Sequence, residues 1–166
     1  MPTEREALKQ MANGLNYIHL QRFVHRDIKP ANVLIYRLGD HLWLKISDFG
    51  FSRLVSVSGN FSAKSKLKGT RMFYAPEYLE LEGKSEEERE LMRRNKSIDI
   101  FSLGCLFFSY ITKGGHPFAQ TRIATEIFIL PNIILGKKFL ENGGMQHHDF
   151  QNKSSLIVLL FSRSIT

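Results

Sequence analysis

Two polar runs at the ends of a pair of apolar segments place the strongest constraint on how this chain can fold. The first run, HRDIKPAN, ends at Asn32, and the second, DFG, begins at Asp48. Between them, residues 32–36 (NVLIY) and 42–46 (LWLKI) are short and rich in β-branched and aromatic residues. With a turn at residues 37–41 they predict a two-stranded hairpin. Such a hairpin brings Asn32 and Asp48 to the same end.

The first polar run supplies the separate groups that phosphoryl transfer needs. Asp27 can accept a hydrogen bond from an acceptor hydroxyl and orient it, and Lys29, two residues on, can reach the transferring phosphate. Asn32 offers a neutral oxygen ligand to a hard metal ion. The alternative interpretation is an exposed polar turn of accidental composition.

The pattern resembles the catalytic loop of protein kinases, and the segment from DFG to the APE that ends at Glu77 resembles a kinase activation segment. Lys29 favours the serine/threonine branch. The resemblance implies ATP and Mg²⁺ as cofactors and a protein substrate as partner. It implies catalytic roles for Asp27 and Lys29 and nucleotide binding by Lys29, Asn32 and Asp48. Asn32 and Asp48 would be the metal ligands.

The interior of the segment 48–77 lacks periodicity and is rich in Ser, Gly and Lys, which predicts a mobile loop. A phosphate on Ser62 or Ser65 would find cationic partners there, and in the kinase family Arg26 is the usual one. The alternative is a basic, solvated loop without modification.

The resemblance also implies supporting residues around the loop. Thr70 would lie near Asp27 in a substrate-docking turn. Asp99 would accept hydrogen bonds from backbone amides of the catalytic loop, and His25, Arg26 and Asp99 would support Asp27 without touching the substrate. For Glu77 the usual arginine partner is not found within the sequence, and we expect its carboxylate to be unpaired and partly buried.

Apolar spacing predicts the helices. Positions 8, 11, 15 and 18 form one stripe, which predicts a helix from residue 4 to about residue 19 with a capping box at Thr3 and Glu6. Residues 99–111 are apolar nearly all round and predict a buried central helix containing Cys105 as a structural thiol. Residues 80–96 are highly charged and predict an exposed, partly helical insertion.

Composition limits the remaining function classes. The chain of 166 residues is 43% apolar with 13 Phe, enough for one domain with a core. No apolar run approaches eighteen residues, and the N-terminus has no signal-peptide core, so we expect no membrane contact. The net charge of +7 is spread over the chain without an aromatic-interleaved basic stripe, so nucleic-acid binding is not expected.

Four short strings narrow the resemblance. FSAKS, DIFSLGCLFF, GGHPF and NIILG are similar to segments of the endoplasmic-reticulum stress-sensor kinase/endoribonucleases, the inositol-requiring enzyme family. This resemblance implies a role in the unfolded protein response, a possible kinase–kinase dimer, and a cytoplasmic location at the cytosolic face of the endoplasmic reticulum.

The predicted fold is α+β and mostly α: a kinase-like C-terminal lobe with a small β-hairpin, formed by residues 1–166 as a partial kinase domain. We find no Gly-rich phosphate loop or strand lysine in the sequence, and therefore expect the N-terminal lobe to be absent and the isolated chain to be inactive. The alternative function is a catalytically silent, kinase-like binding or regulatory module.

Overall fold

The computed structural model describes residues 2–56, 69–91, 95–121 and 124–140. Its helices are α1 (Glu4–Leu20), α2 (Pro76–Leu79), α3 (Glu86–Leu91), α4 (Ser97–Ile111) and α5 (Glu126–Ile134). Its strands are β1 (Phe23–Val24), β2 (Val33–Leu38), β3 (His41–Ile46) and β4 (Arg53–Leu54). Three 3-10 turns occupy Pro30–Asn32, Phe49–Phe51 and Arg71–Phe73. Helices with small antiparallel sheets agree with the predicted mostly helical α+β class.

Helix α1 begins at the predicted capping box. The Thr3 hydroxyl accepts from the backbone N–H of Glu6 (3.3 Å), and the Glu6 carboxylate accepts from the N–H of Thr3 (2.8 Å). These two bonds satisfy donors that a helix start otherwise leaves exposed. Of the predicted stripe, Met11, Leu15 and Ile18 are buried and Leu8 is half-buried. The helix prediction is therefore confirmed.

Strands β2 and β3 form the predicted hairpin, with Val33 opposite Ile46 and Leu38 opposite His41. The turn is shorter than expected, because the strands include three of its five predicted residues and leave only Gly39, with a positive φ of 58°, and Asp40. One side of the hairpin packs on α1, where the Gln10 side chain bonds the N–H of Leu44 (2.7 Å). The other side leaves large apolar residues exposed: Leu34, Tyr36, Leu38 and Trp43. Ile35, which is paired with Leu44, is exposed as well.

Helix α4 is the centre of the described core, as its sequence predicted. It is buried along nearly its whole length, including Cys105, which is fully buried. One group of core side chains lies between α4, α1 and the hairpin, and a second joins α4 to α2 and α5. Among the described helices, none has both the length and the apolarity that crossing a membrane requires.

Two parts of the structure differ from the sequence predictions. The segment predicted as a loop after DFG contains β4, which pairs with β1 through Leu54 opposite Phe23. A two-residue strand is too short to show periodicity. Helix α5 was not among the predicted helices, and Pro131 lies inside it, an unusual position for proline. Within the charged segment 80–96, α3 is helical as expected.

Candidate active site

Asp99 lies in the first turn of α4 and is fully buried. One carboxylate oxygen accepts from the backbone N–H of His25 (2.7 Å), and the other accepts from the N–H of Arg26 (2.8 Å). The first oxygen also lies 2.9 Å from Nε2 of His19 on α1. A buried carboxylate needs such donors because desolvation disfavours its charged form. Asp99 therefore ties α1 and α4 to the loop that carries Asp27.

Arg26 has a left-handed backbone (φ 71°) and a buried side chain. Its Nε and Nη2 donate to the hydroxyl of Tyr78 at 3.2 and 2.7 Å. Because Tyr78 belongs to α2, this contact joins the loop to the end of the segment 48–77. Sequence reasoning missed Tyr78. The predicted phosphorylation sites, Ser62 and Ser65, lie outside the described residues.

Asp27 is the centre of a group of short polar contacts. One oxygen lies 2.8 Å from Nζ of Lys29 and accepts from the amide nitrogen of Asn32 (2.9 Å). The other accepts from the backbone N–H of Thr70 (2.9 Å). Lys29 also donates to the Thr70 hydroxyl (2.7 Å). The structure thus brings together four residues that the sequence had singled out.

The Asp27 carboxylate keeps capacity for one more donor. Burial raises its pKa, but the hydrogen bonds from Lys29 and Asn32 and the Lys29 charge outweigh burial, so the pKa lies below its ordinary value. The group is therefore ionised at neutral pH. An ionised carboxylate offers about four acceptor positions, and its three side-chain and backbone donors leave room for an incoming hydroxyl.

His25 connects Asp27 to the DFG run. The ring is fully buried, its Nδ1 accepts from the N–H of Asp27 (3.3 Å), and its Nε2 lies 3.0 Å from the carbonyl oxygen of Ser47. These partners assign the proton to Nε2. The ring also meets Phe49 edge-on, with centroids 5.1 Å apart.

Asp48 and Asn32 come from adjoining segments, since the backbone N–H of Ser47 donates to the carbonyl of Asn32 (2.9 Å). Asp48 is exposed, with a left-handed backbone (φ 65°), and one of its oxygens accepts from the N–H of Gly50 (3.3 Å). The Asn32 amide nitrogen donates to Asp27, which leaves the amide oxygen as a possible ligand.

This donor set fits Mg²⁺. The described residues contain no cluster of three or more His, Cys, Asp or Glu side chains that could enclose a metal ion. Mg²⁺ bound together with a nucleotide does not need one, because it takes one or two carboxylates from the protein and completes its shell with waters and phosphates. Asn32 and Asp48 are the residues that would hold it.

The carboxylate of Glu77 is half-buried and accepts from the hydroxyl of Ser97 at 3.2 Å. The carboxylate is thus partly buried, as expected, and has a hydrogen-bond donor that the sequence did not predict. Ser97 is a neutral donor, however, and burial raises the pKa of Glu77 above its ordinary value. No local pattern in the sequence pointed to Ser97, which lies twenty residues away and reaches Glu77 through the packing of α4 on α2.

Comparison with known proteins adds independent findings. The family model described as protein kinase domain matches residues 2–157. The serine/threonine-protein kinase/endoribonuclease ire-1 of Caenorhabditis elegans is 37% identical over 122 residues, covering 70% of this chain and 12% of that protein. The serine/threonine-protein kinase/endoribonuclease IRE2 of Homo sapiens is 32% identical over 148 residues, covering 86% of this chain and 14% of that protein.

A third relative carries no endoribonuclease in its name. The probable serine/threonine-protein kinase irlA of Dictyostelium discoideum is 34% identical over 134 residues, covering 80% of this chain and 8% of that protein. The chain thus spans 8–14% of the length of these three relatives.

Proposed function

The chain belongs to the protein kinase family, and we propose that it orients a serine or threonine hydroxyl for ATP-dependent phosphoryl transfer. Its similarity to kinase/endoribonucleases, expected from four short strings, is confirmed by the relatives from Caenorhabditis elegans and Homo sapiens. The observation that carries the proposal is the ionised, buried Asp27 held by donors from Lys29, Asn32 and Thr70.

The role proposed for Asp27 is to align the acceptor hydroxyl. Phosphoryl transfer passes through a loose transition state, so the protein mainly positions the reactants and stabilises charge. Asp27 accepts from the acceptor hydroxyl, while the Asn32 amide and the Thr70 N–H keep the carboxylate from rotating. Lys29 lies between Asp27 and Thr70, so its ammonium is near the acceptor oxygen and can approach the transferring phosphate.

The nucleotide end of the proposed site consists of Asn32 and Asp48. When bound there, Mg²⁺ neutralises charge on the phosphates of ATP. The amide nitrogen of Asn32 is held by Asp27, so its amide oxygen is the atom that would bind the metal. Asp48 is a carboxylate ligand and Asn32 a neutral amide, so we expect Asp48 to account for more of the metal affinity than Asn32.

The wider setting of the segment is proposed from resemblance. In the complete protein, we expect the chain to lie on the cytosolic face of the endoplasmic reticulum and to pair with a second kinase domain. Phosphorylation of Ser62 or Ser65 stays a prediction. Within the chain alone, residues 1–166 are proposed to form the C-terminal lobe of a kinase domain.

A kinase-like binding module without transfer activity is the competing candidate. The observation that favours it is the apolar surface beside Asp48, where Phe49 is 53% exposed and Tyr17 is 65% exposed. Exposed apolar surface marks contact sites in soluble proteins. Such a surface serves an active kinase equally well, so activity has to decide between the two.

The test measures transfer of radiolabelled phosphate from ATP to serine- and threonine-containing peptides by the complete protein with Mg²⁺. The proposal predicts incorporation by the wild type and a loss of about 10²–10⁴-fold in kcat for Asp27→Asn. Asp40→Asn is the matched control, because it makes the same change of charge at a residue in the exposed turn of the hairpin. Absence of incorporation by the wild type would favour the binding module, and incorporation at equal rates by the wild type and Asp27→Asn would contradict the role proposed for Asp27.

A further inference from the structure

Residues 70–73, which we call the acceptor turn, are tied to several different elements of the fold. The carbonyl of Met72 accepts from Nε2 of His116 (2.9 Å), and the carbonyl of Phe73 accepts from the hydroxyl of Ser102 on α4 (2.6 Å). Burial lowers the pKa of His116 to about 4, so its ring is neutral at physiological pH. These two bonds hold the turn from the protein interior.

Arg71 holds the acceptor turn from the outside. Its Nε and Nη2 donate to the two carboxylate oxygens of Glu82 at 2.7 and 2.5 Å, and its Nη1 donates to Glu126 at 2.5 Å. Glu82 lies in the turn after α2, and Glu126 is the first residue of α5. One guanidinium therefore connects three segments of the chain.

The geometry of this cluster distinguishes it from ordinary surface ion pairs. An isolated exposed pair contributes little, because two flexible side chains must be ordered for one contact. Here the planar fork of Arg71 meets both oxygens of Glu82, and a second carboxylate uses its remaining edge. All three side chains are partly covered, with 45% of Arg71, 34% of Glu82 and 41% of Glu126 exposed.

Arg71 is next in sequence to a residue that contacts the proposed catalytic group, Asp27. Thr70 precedes Arg71, donates its N–H to Asp27 at 2.9 Å and accepts from Lys29 at 2.7 Å. A displacement of the acceptor turn would remove a donor from the Asp27 carboxylate and free it to rotate. In the part of the chain that the structure describes, no hydrogen bond or ion pair links Asp48 to Arg71, Glu82 or Glu126.

We propose that Arg71 is a positioning residue for the acceptor substrate: by joining the acceptor turn to Glu82 and Glu126, it keeps Thr70 on Asp27. The proposal rests on the proposed kinase function and assigns to Arg71 an effect on the acceptor side alone. Arg71 itself does not touch the reacting atoms.

The first test is steady-state kinetics of the complete protein with Arg71→Gln, varying peptide and ATP separately. The expected result is a rise of about three- to tenfold in the KM for peptide and a fall of similar size in kcat, with the KM for ATP unchanged. A purely structural role reduces the active fraction, which lowers apparent kcat and leaves both KM values unchanged. That second pattern, or an equal rise in both KM values, would overturn the proposal.

Matched variants separate geometry from charge. Lys84→Gln removes the same charge from the neighbouring turn and is expected to leave all three parameters unchanged. Arg71→Lys keeps the charge but cannot form the two-point contact, so an intermediate effect is expected. The pair Arg71→Gln/Glu82→Gln should be no worse than Arg71→Gln alone, because both changes break one interaction. Additive effects would contradict the proposal that Arg71 holds the acceptor turn through Glu82.

A second readout does not depend on activity. Hydrogen exchange of the Thr70 amide reports its bond to Asp27 directly, and Arg71→Gln should accelerate it about three- to tenfold while leaving the Arg26 amide, held by Asp99, unchanged. If the wild type transfers no phosphate, the kinase proposal fails. This exchange measurement still tests whether Arg71 keeps Thr70 on Asp27. Unchanged exchange at Thr70 would refute it.

Discussion

The two ends of the proposed site differ in how completely the protein holds them. At the acceptor end, Asp27 is 3% exposed and has partners on the catalytic loop and at Thr70. At the metal end, Asp48 is exposed, and its described hydrogen bond is to Gly50, only two residues away. Among the described residues, one carboxylate is fixed by contacts across the fold and the other by a contact within its own turn.

The difference indicates that the two carboxylates meet different structural requirements. A group that must align a hydroxyl gains from rigid donors, because small errors in position are costly for catalysis. A metal-binding carboxylate such as Asp48 can instead become ordered when the metal binds, since Mg²⁺ brings waters and phosphates that restrict the carboxylate. We therefore regard the acceptor end as preorganised by this chain and the metal end as ordered by its ligands.

The surface beside the metal end agrees with this interpretation. A cavity of about 360 Å³ lies next to Phe49 and Phe23 and is lined mainly by apolar atoms. Leu20 and Leu54, at 68% and 61% exposure, extend the apolar surface. The acceptor end has its polar groups paired instead. The two ends thus expose opposite kinds of surface, and we expect the apolar one to be covered by a further part of the complete protein or by a partner.

The largest expected effect separates the two carboxylates by their response to metal. Asp27→Asn and Asp48→Asn should each lower kcat by about 10²–10⁴-fold at ordinary Mg²⁺ concentrations. Raising Mg²⁺ or substituting Mn²⁺ should recover part of the activity of Asp48→Asn, because its defect is weaker metal binding. Asp27→Asn should show no recovery. Equal recovery of both variants in a metal titration would remove the distinction between the two ends.

A smaller effect is expected from the close approach of Gly69 to the catalytic loop. Gly69 has a φ of 129°, and a Cβ there would lie 2.7 Å from the carbonyl oxygen of Arg26 and 3.2 Å from an Asp27 carboxylate oxygen. Gly69→Ala should cost about 2–3 kcal/mol of stability. Gly83→Ala is the control, because Gly83 also has a positive φ (79°) but open space around it. Denaturant unfolding of the chain should show a larger loss for Gly69→Ala.

Acidification should weaken the acceptor end through His116. Burial lowers its pKa from 6.5 to about 4 in the folded state, so between these values the unfolded chain binds a proton that the folded chain does not. Stability therefore falls as pH decreases, by about 2 kcal/mol between pH 7 and pH 5. Urea unfolding across this range should show the slope, and His116→Asn should flatten it. A slope that persists in the variant would assign it to other groups.

Much of the acceptor end could be predicted because its residues are close in sequence. Asp27, Lys29 and Asn32 lie on one turn of chain, and their spacing alone placed them together. The hairpin followed from two apolar runs and brought Asp48 near Asn32. These predictions needed only local geometry.

The contacts that fix the site could not be predicted in the same way. His19 meets Asp99 across eighty residues, and Arg71 meets Glu126 across fifty-five. Such contacts depend on how helices pack, and neither partner carries a local signal. Tyr78 was overlooked for the same reason, although it holds the Arg26 guanidinium. The long-range contacts of Asp99 and Thr70 with the loop that carries Asp27 were expected from the kinase resemblance, and the other long-range contacts required the structure.

Hydrogen exchange in the complete protein, before and after addition of Mg²⁺ and a non-hydrolysable ATP analogue, tests the contrast between the two ends most directly. The Thr70 amide, held by Asp27, should be protected before addition and little changed afterwards. The Gly50 amide, held only by the exposed Asp48, should exchange fast before addition and slowly afterwards. If Thr70 exchanges as fast as Gly50 until the nucleotide is added, the acceptor end is not preorganised and the account is wrong.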